Sequence, residues 1–111
     1  MTEPAMETVD SFGMTAERMF ADLWSRGVLS AKERHLLLLG LLVGQGIDDQ
    51  LEVRLDAALR AGDLSESELR EVVVFLTHYA GWTRGSRLNN QVEDLIEGVR
   101  RDRSDRGDLG G

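Results

Sequence analysis

Apolar residues recur at helical spacing along most of the chain, and nowhere do they alternate with polar ones as in a half-buried strand. The best-marked stretch runs from Ser65 to Trp82. Leu69, Val72, Val73, Leu76 and Ala80 form one stripe there. Ser65 and Glu68, three residues apart, make a capping box, in which each side chain satisfies a backbone N–H that the helix start leaves unpaired. Gly81 is expected to close the helix in the left-handed conformation that glycine adopts cheaply.

The same logic places four more helices. One is expected from about Thr15 to Arg26, with Met19, Phe20, Leu23 and Trp24 on one face and Gly27 ending it. Ser30 and Glu33 form a second capping box for a helix reaching about Gly44. After the Gly44-Gln45-Gly46 break, Asp48 is the expected N-cap of a third helix to Ala61, carrying Leu51, Leu55, Ala58 and Leu59. Its Asp56 and Arg60 stand at the i,i+4 spacing of a surface ion pair, and Gly62 closes it. Thr83 is the expected cap of a last helix, striped by Leu88, Val92, Leu95, Ile96 and Val99. The predicted fold is all-α, a compact bundle of about five to six helices over residues 15–100. Residues 1–14 read as a flexible lead-in and residues 101–111, which lose all periodicity, as a disordered tail.

The second helix departs from the amphipathic pattern. Leu36 to Leu39 and Leu41 to Val43 leave no polar face, with only Gly40 between them. A helix that is apolar all round is buried on every side. A single chain of this length has few elements to surround it, so a second copy is expected to cover part of it; a central helix wrapped by its own neighbours is the alternative.

Composition narrows the function. With 41% hydrophobic and 30% charged residues the chain has an ordinary globular composition, and 111 residues suffice for one core. A net charge of −7 argues against nucleic acid or an anionic membrane as partner. No cysteine is present, which excludes disulfides, thiolate metal sites and thiol redox chemistry. No apolar run approaches the roughly 20 residues of a membrane span. The acidic N-terminus, with Glu3, Glu7 and Asp10, lacks the order of a signal peptide, so a cytoplasmic location is expected.

Several short motifs occur in an order that resembles the carboxymuconolactone decarboxylase family, which includes alkylhydroperoxidase-D-like proteins. They are Leu23-Trp24-Ser25-Arg26, then Leu29-Ser30-Ala31-Lys32-Glu33-Arg34, the segment Leu51 to Gly62, and Ser67-Glu68-Leu69-Arg70-Glu71-Val72-Val73-Val74 followed by His78-Tyr79-Ala80-Gly81-Trp82. The resemblance covers roughly Met19 to Val99. It implies a homo-trimer or homo-hexamer, no cofactor, and a small anionic ligand.

Two chemistries come with that resemblance. The hydroperoxidase branch uses a Cys-x-x-Cys pair followed by a histidine, and those positions hold Ile47, Gln50 and Arg54 here, so thiol peroxidase chemistry is excluded. The decarboxylase branch acts on a small carboxylated lactone. Loss of CO2 requires a cation for the carboxylate, an apolar surround, and an acid to protonate the carbon left behind. That branch usually reads Glu-Leu-x-x-His, where this chain has Gln50, Leu51 and Arg54; Arg54 can bind an anion but cannot exchange protons near neutral pH. Thr83 also replaces the family's proline.

The candidate catalytic residues are therefore His78, for proton transfer, and Arg54, as anion holder. Candidate substrate-binding residues are Arg34, matching an arginine of the family, together with His35, Glu71, Tyr79 and Trp82. Each has a structural counterpart reading: an ion-pair partner for Arg34, a surface or cap-region imidazole for His35, and snorkelling over apolar surface for Arg54. His78 also suits a subunit interface, and Tyr79 and Trp82 suit plain core packing. Glu71 lies two turns from His78, about 10.5 Å along the axis, so the two are placed to flank one pocket rather than to bond. No metal site is expected. The function expected from the resemblance is a decarboxylase-like action on a small carboxylated lactone or organic acid. The alternative is a non-catalytic member that binds a small ligand or a partner protein.

Overall fold

A computed structural model of the protein describes the backbone of residues 4–106 and the side chains of residues 12–106, which form five helices. They are α1 (Pro4–Trp24), α2 (Ala31–Gln45), α3 (Asp48–Ala61), α4 (Glu66–Ala80) and α5 (Trp82–Asp105). Among the described residues there is no strand, and no helix is long and apolar enough to cross a membrane. The architecture is all-α. Residues 1–3 and 107–111, the ends of the expected lead-in and tail, lie outside the described residues.

The chain divides into two units, Met1–Ala31 and Lys32–Gly111. The first holds α1, which begins at Pro4 rather than Thr15. Proline suits the first helical position because its missing N–H has no partner to lose there. Along α1 the side chains of Phe12, Met19, Phe20 and Leu23 are exposed and that of Trp24 is half-buried. The helix ends at Trp24, two residues short of Arg26, and Ser25 Oγ then donates to the carbonyl of Asp22 at 2.9 Å.

The second unit is built on one core. Leu39, Leu42 and Val43 of α2 join Leu51, Leu55, Ala58 and Leu59 of α3, Leu69 and Val73 of α4, and Leu88, Val92, Ile96 and Val99 of α5. Each fully buried leucine among them contributes about 1.5–3 kcal/mol relative to exposure. Leu64, in the α3–α4 turn, is 1% exposed and plugs that core from the loop. The turn forms because Gly62 adopts φ 81°, ψ 9°, and the N–H groups of Asp63 and Leu64 both donate to the Ala58 carbonyl. Ser65 then caps α4. Its Oγ accepts from the Glu68 N–H at 3.1 Å, and its own N–H donates to Glu68 Oε1 at 2.9 Å.

Three helix ends differ from the sequence expectation. Ile47, not Asp48, occupies the N-cap of α3 and offers no side-chain bond. Asp48 is the first helical residue, where its charge faces the positive end of the helix dipole. Thr83 caps nothing, because α5 already begins at Trp82. A single residue, Gly81, separates α4 from α5 at φ 99°, ψ 162°, a backbone region outside the left-handed helix and open essentially to glycine alone.

α5 also runs through Arg100 to Asp105, across residues read as the start of a tail. Its apolar stripe stops at Val99, and charge pairing carries it further. Arg100 is bidentate to Glu66 of α4, with Nε 3.0 Å from Oε2, and Arg101 pairs with Glu97 one turn back. Asp102 accepts from Arg60 of α3 at 2.7 Å.

α2 is not buried on every side. His35, Leu39, Leu42 and Val43 face inward, whereas Leu36, Leu37 and Leu41 are 40%, 64% and 54% exposed.

Candidate functional site

The one-residue link at Gly81 folds α5 back alongside α4, and the two helices approach closely where Gly85 meets Thr77. Beside that contact, between the two helices, lies an open cavity of about 330 Å³. Val73, Val74, Thr77 and His78 line it from α4, and Trp82, Gly85, Ser86, Asn89 and Asn90 from α5. The volume lies at the lower end of the range for small-molecule sites.

His78 is exposed, and its Nδ1–H donates to the Val74 carbonyl at 2.8 Å. That bond fixes the tautomer of the neutral ring and leaves Nε2 to accept a hydrogen bond or a proton. Trp82 stands at the same cavity, 81% exposed. The other polar groups on the wall are the Thr77 and Ser86 hydroxyls and the two amides. They are neutral donors and acceptors. Neither Arg34 nor Arg54 lines this cavity, nor does any lysine.

The remaining candidates are scattered. Arg54 is half-buried on α3, flanking the face formed by Leu51, Leu55 and Ala58. Arg34 is half-buried near the start of α2. Glu71 does not flank a pocket with His78. It lines a separate groove of about 490 Å³ between α2 and α4, among Leu36, Leu37, Val72, Phe75 and Leu76. Tyr79 and Trp82 are not core residues. Tyr79 is 80% exposed and packs only its ring on Phe75, with centroids 5.0 Å apart.

His35 is neither a surface group nor a cap. It is 7% exposed, and its Nε2–H donates to Asp63 Oδ2 at 3.1 Å. The bond ties α2 to the α3–α4 turn, so the imidazole serves the fold. Asp63, Ser86, Asn89 and Asn90 belong to no motif of the sequence. The adjacent amides one turn after Gly85 were the available signal, and nothing local distinguishes them from surface residues.

A larger groove, about 690 Å³, runs between α3 and α5. Asp49, Glu52, Asp56 and Asp94 make its walls acidic, and its one cation, Arg60, is already bound by Asp56 and Asp102. It offers no charge to an anionic substrate. Among the described residues no group of three or more histidine, aspartate or glutamate side chains gathers as for a metal ion.

Comparison with known proteins places the scaffold. The model of the carboxymuconolactone decarboxylase family matches residues 10–94, which includes α2, α3, α4 and the part of α5 that forms the cavity. No curated protein and no solved structure matches the chain. With about three quarters of its length matched, the chain belongs to the carboxymuconolactone decarboxylase family.

Proposed function

We propose that this chain is a family member without decarboxylase chemistry, one that binds a small, neutral, polar ligand in the cavity beside His78. The observation that carries this reading is the composition of the wall: one imidazole and four neutral polar side chains, with no arginine or lysine. Decarboxylation of an organic acid needs a fixed cation for the carboxylate as well as a proton donor. The cavity supplies only the second. A neutral carbonyl or amide suits Asn89, Asn90 and Ser86, while the exposed Trp82 ring offers a face for stacking.

Tryptophan fluorescence tests this in a Trp24→Phe background, where Trp82 is the sole reporter. A neutral lactone is expected to quench it at least as well as the carboxylated lactone at pH 8, and Asn89→Ala and Asn90→Ala are expected to weaken that binding tenfold or more. Release of CO2 from the carboxylated lactone, lost in His78→Ala, would overturn the reading.

The family match supports a second reading, action on a small carboxylated lactone or other organic acid. In that case His78 itself must hold the carboxylate, and His78→Ala should abolish binding of the acid while leaving the neutral lactone bound.

A further inference from the structure

The cavity beside His78 sorts its hydrogen-bonding groups by helix. Thr77 and His78 are the polar side chains that α4 brings to it, and each has given a proton to its own helix. Thr77 Oγ1 donates to the Val73 carbonyl at 2.6 Å, and His78 Nδ1 donates to the Val74 carbonyl at 2.8 Å. Thr77 Oγ1 is also pressed against α5, so close to Gly85 that a Cβ there would overlap it. What α4 offers a ligand is therefore the Nε2 lone pair of the neutral imidazole, and only a donor can meet it.

α5 brings groups of the other kind. Ser86, Asn89 and Asn90 supply a hydroxyl and two amides, and each can donate as well as accept. The amides hold the N–H groups that a ligand carbonyl requires. Trp82 lines the same cavity and is 81% exposed, an indole face open to a flat ring. A ligand with acceptors alone, such as a lactone, satisfies α5 and leaves Nε2 to water. An alcohol has a single atom for both tasks. A cyclic amide has two, a ring N–H that donates and an adjacent carbonyl oxygen that accepts, both in the plane that the indole can cover.

We propose that the ligand class of this cavity is a small planar lactam or cyclic imide. Its ring N–H donates to His78 Nε2, its carbonyl accepts from the amide of Asn89 or Asn90, and its face lies on Trp82. The proposal rests on the reading of the cavity as a site for a neutral polar ligand, and it names which neutral ligand that is.

Three flat rings that differ at one ring position test it. 2-Pyridone has an N–H beside its carbonyl, N-methyl-2-pyridone has a methylated nitrogen there, and 2-pyrone has an oxygen. Each is titrated at pH 8 into the isotopically labelled full chain and followed by NMR at the Trp82 indole N–H, assigned with Trp24→Phe. This readout reaches millimolar affinities. 2-Pyridone should bind about three- to tenfold more tightly than either analogue, the worth of one neutral hydrogen bond. The methyl compound adds bulk and 2-pyrone does not, so the loss must appear with both. His78→Phe should remove the advantage of 2-pyridone and leave 2-pyrone binding unchanged, while Asn89→Ala combined with Asn90→Ala should weaken all three. If 2-pyrone binds as tightly as 2-pyridone, and both weaken in the asparagine variant, the cavity takes neutral ligands but the lactam assignment is wrong. An advantage of 2-pyridone that survives His78→Phe overturns the assignment as well. If no ring shifts the indole signal at millimolar concentration, the reading of the cavity falls and this inference with it.

Discussion

Replacing Gly85 by alanine should destabilise the protein although alanine is the better helix former. A Cβ on Gly85 would lie 2.2 Å from Thr77 Oγ1 and 2.8 Å from both Thr77 Cβ and Cγ2. The Thr77 hydroxyl is held by its own helix, donating to the Val73 carbonyl at 2.6 Å. Rotating the threonine moves Oγ1 and Cγ2 together and cannot clear both, and its Cβ does not move, so α4 and α5 must part. Overpacking of this kind costs about 1–3 kcal/mol. Removing a helical glycine returns about 0.5–1 kcal/mol. The net loss is about 0–2.5 kcal/mol, centred near 1.25, and the central value is a fall in Tm of roughly 5–10 °C for a domain of this size. Gly98→Ala, in the same helix, is the matched control. Its Cβ would meet only Arg101 Nη2, at 3.9 Å, so it should stabilise by about 0.5–1 kcal/mol. Urea unfolding followed by circular dichroism measures both, with unchanged m-values expected. Adding Thr77→Ala to Gly85→Ala should recover about 1 kcal/mol through a favourable coupling. If Gly85→Ala and Gly98→Ala shift stability in the same direction, the close approach of α4 and α5 is wrong.

Other consequences are as direct. Asp63→Ala should cost about 1–3 kcal/mol by leaving the buried His35 Nε2–H without its carboxylate, and His35→Ala combined with it should cost less than the sum, measured by a double-mutant cycle. Ser65→Ala should lose about 1 kcal/mol by breaking the capping box of α4, read as a lower urea midpoint. Arg100, Lys32 and Arg70 hydrogen-bond Glu66, Glu68 and Glu93 respectively and hold their carboxyls below the ordinary value of 4.5. A depressed folded-state pKa contributes stability above the unfolded value and loses it as pH falls through the folded one. Stability should therefore decline below about pH 4.5, and Glu66→Gln should flatten that acid limb in pH-dependent unfolding. These groups are exposed, so the effect should shrink in high salt.

Most of α2–α5 was legible in the residues because helical period, glycine stops and caps act within one turn of the chain. The Leu51/Leu55/Ala58/Leu59 stripe, the Ser65–Glu68 box and the Leu88 to Val99 stripe needed no knowledge of neighbours. The absence of cysteine settled, without any structure, that no thiol chemistry occurs here. The family was legible for a related reason, since its motifs are short contiguous segments of the chain, most of them within those same helices.

What the tertiary structure decided depends on partners far apart in sequence. α5 outlasts its apolar stripe because Glu66 and Arg60, 34 and 42 residues from their partners, hold Arg100 and Asp102. His35 sits in the charged run Lys32-Glu33-Arg34, which by itself reads as surface, and is buried because Asp63, 28 residues on, meets it from the α3–α4 turn. Helical spacing sets Glu71 and His78 two turns apart on one side of α4. It could not show that α2 and α5 divide that side, giving Glu71 to an apolar groove and His78 to a polar cavity without an arginine. Periodicity specifies which way a side chain leaves its own helix; what it then faces is set by how the helices pack.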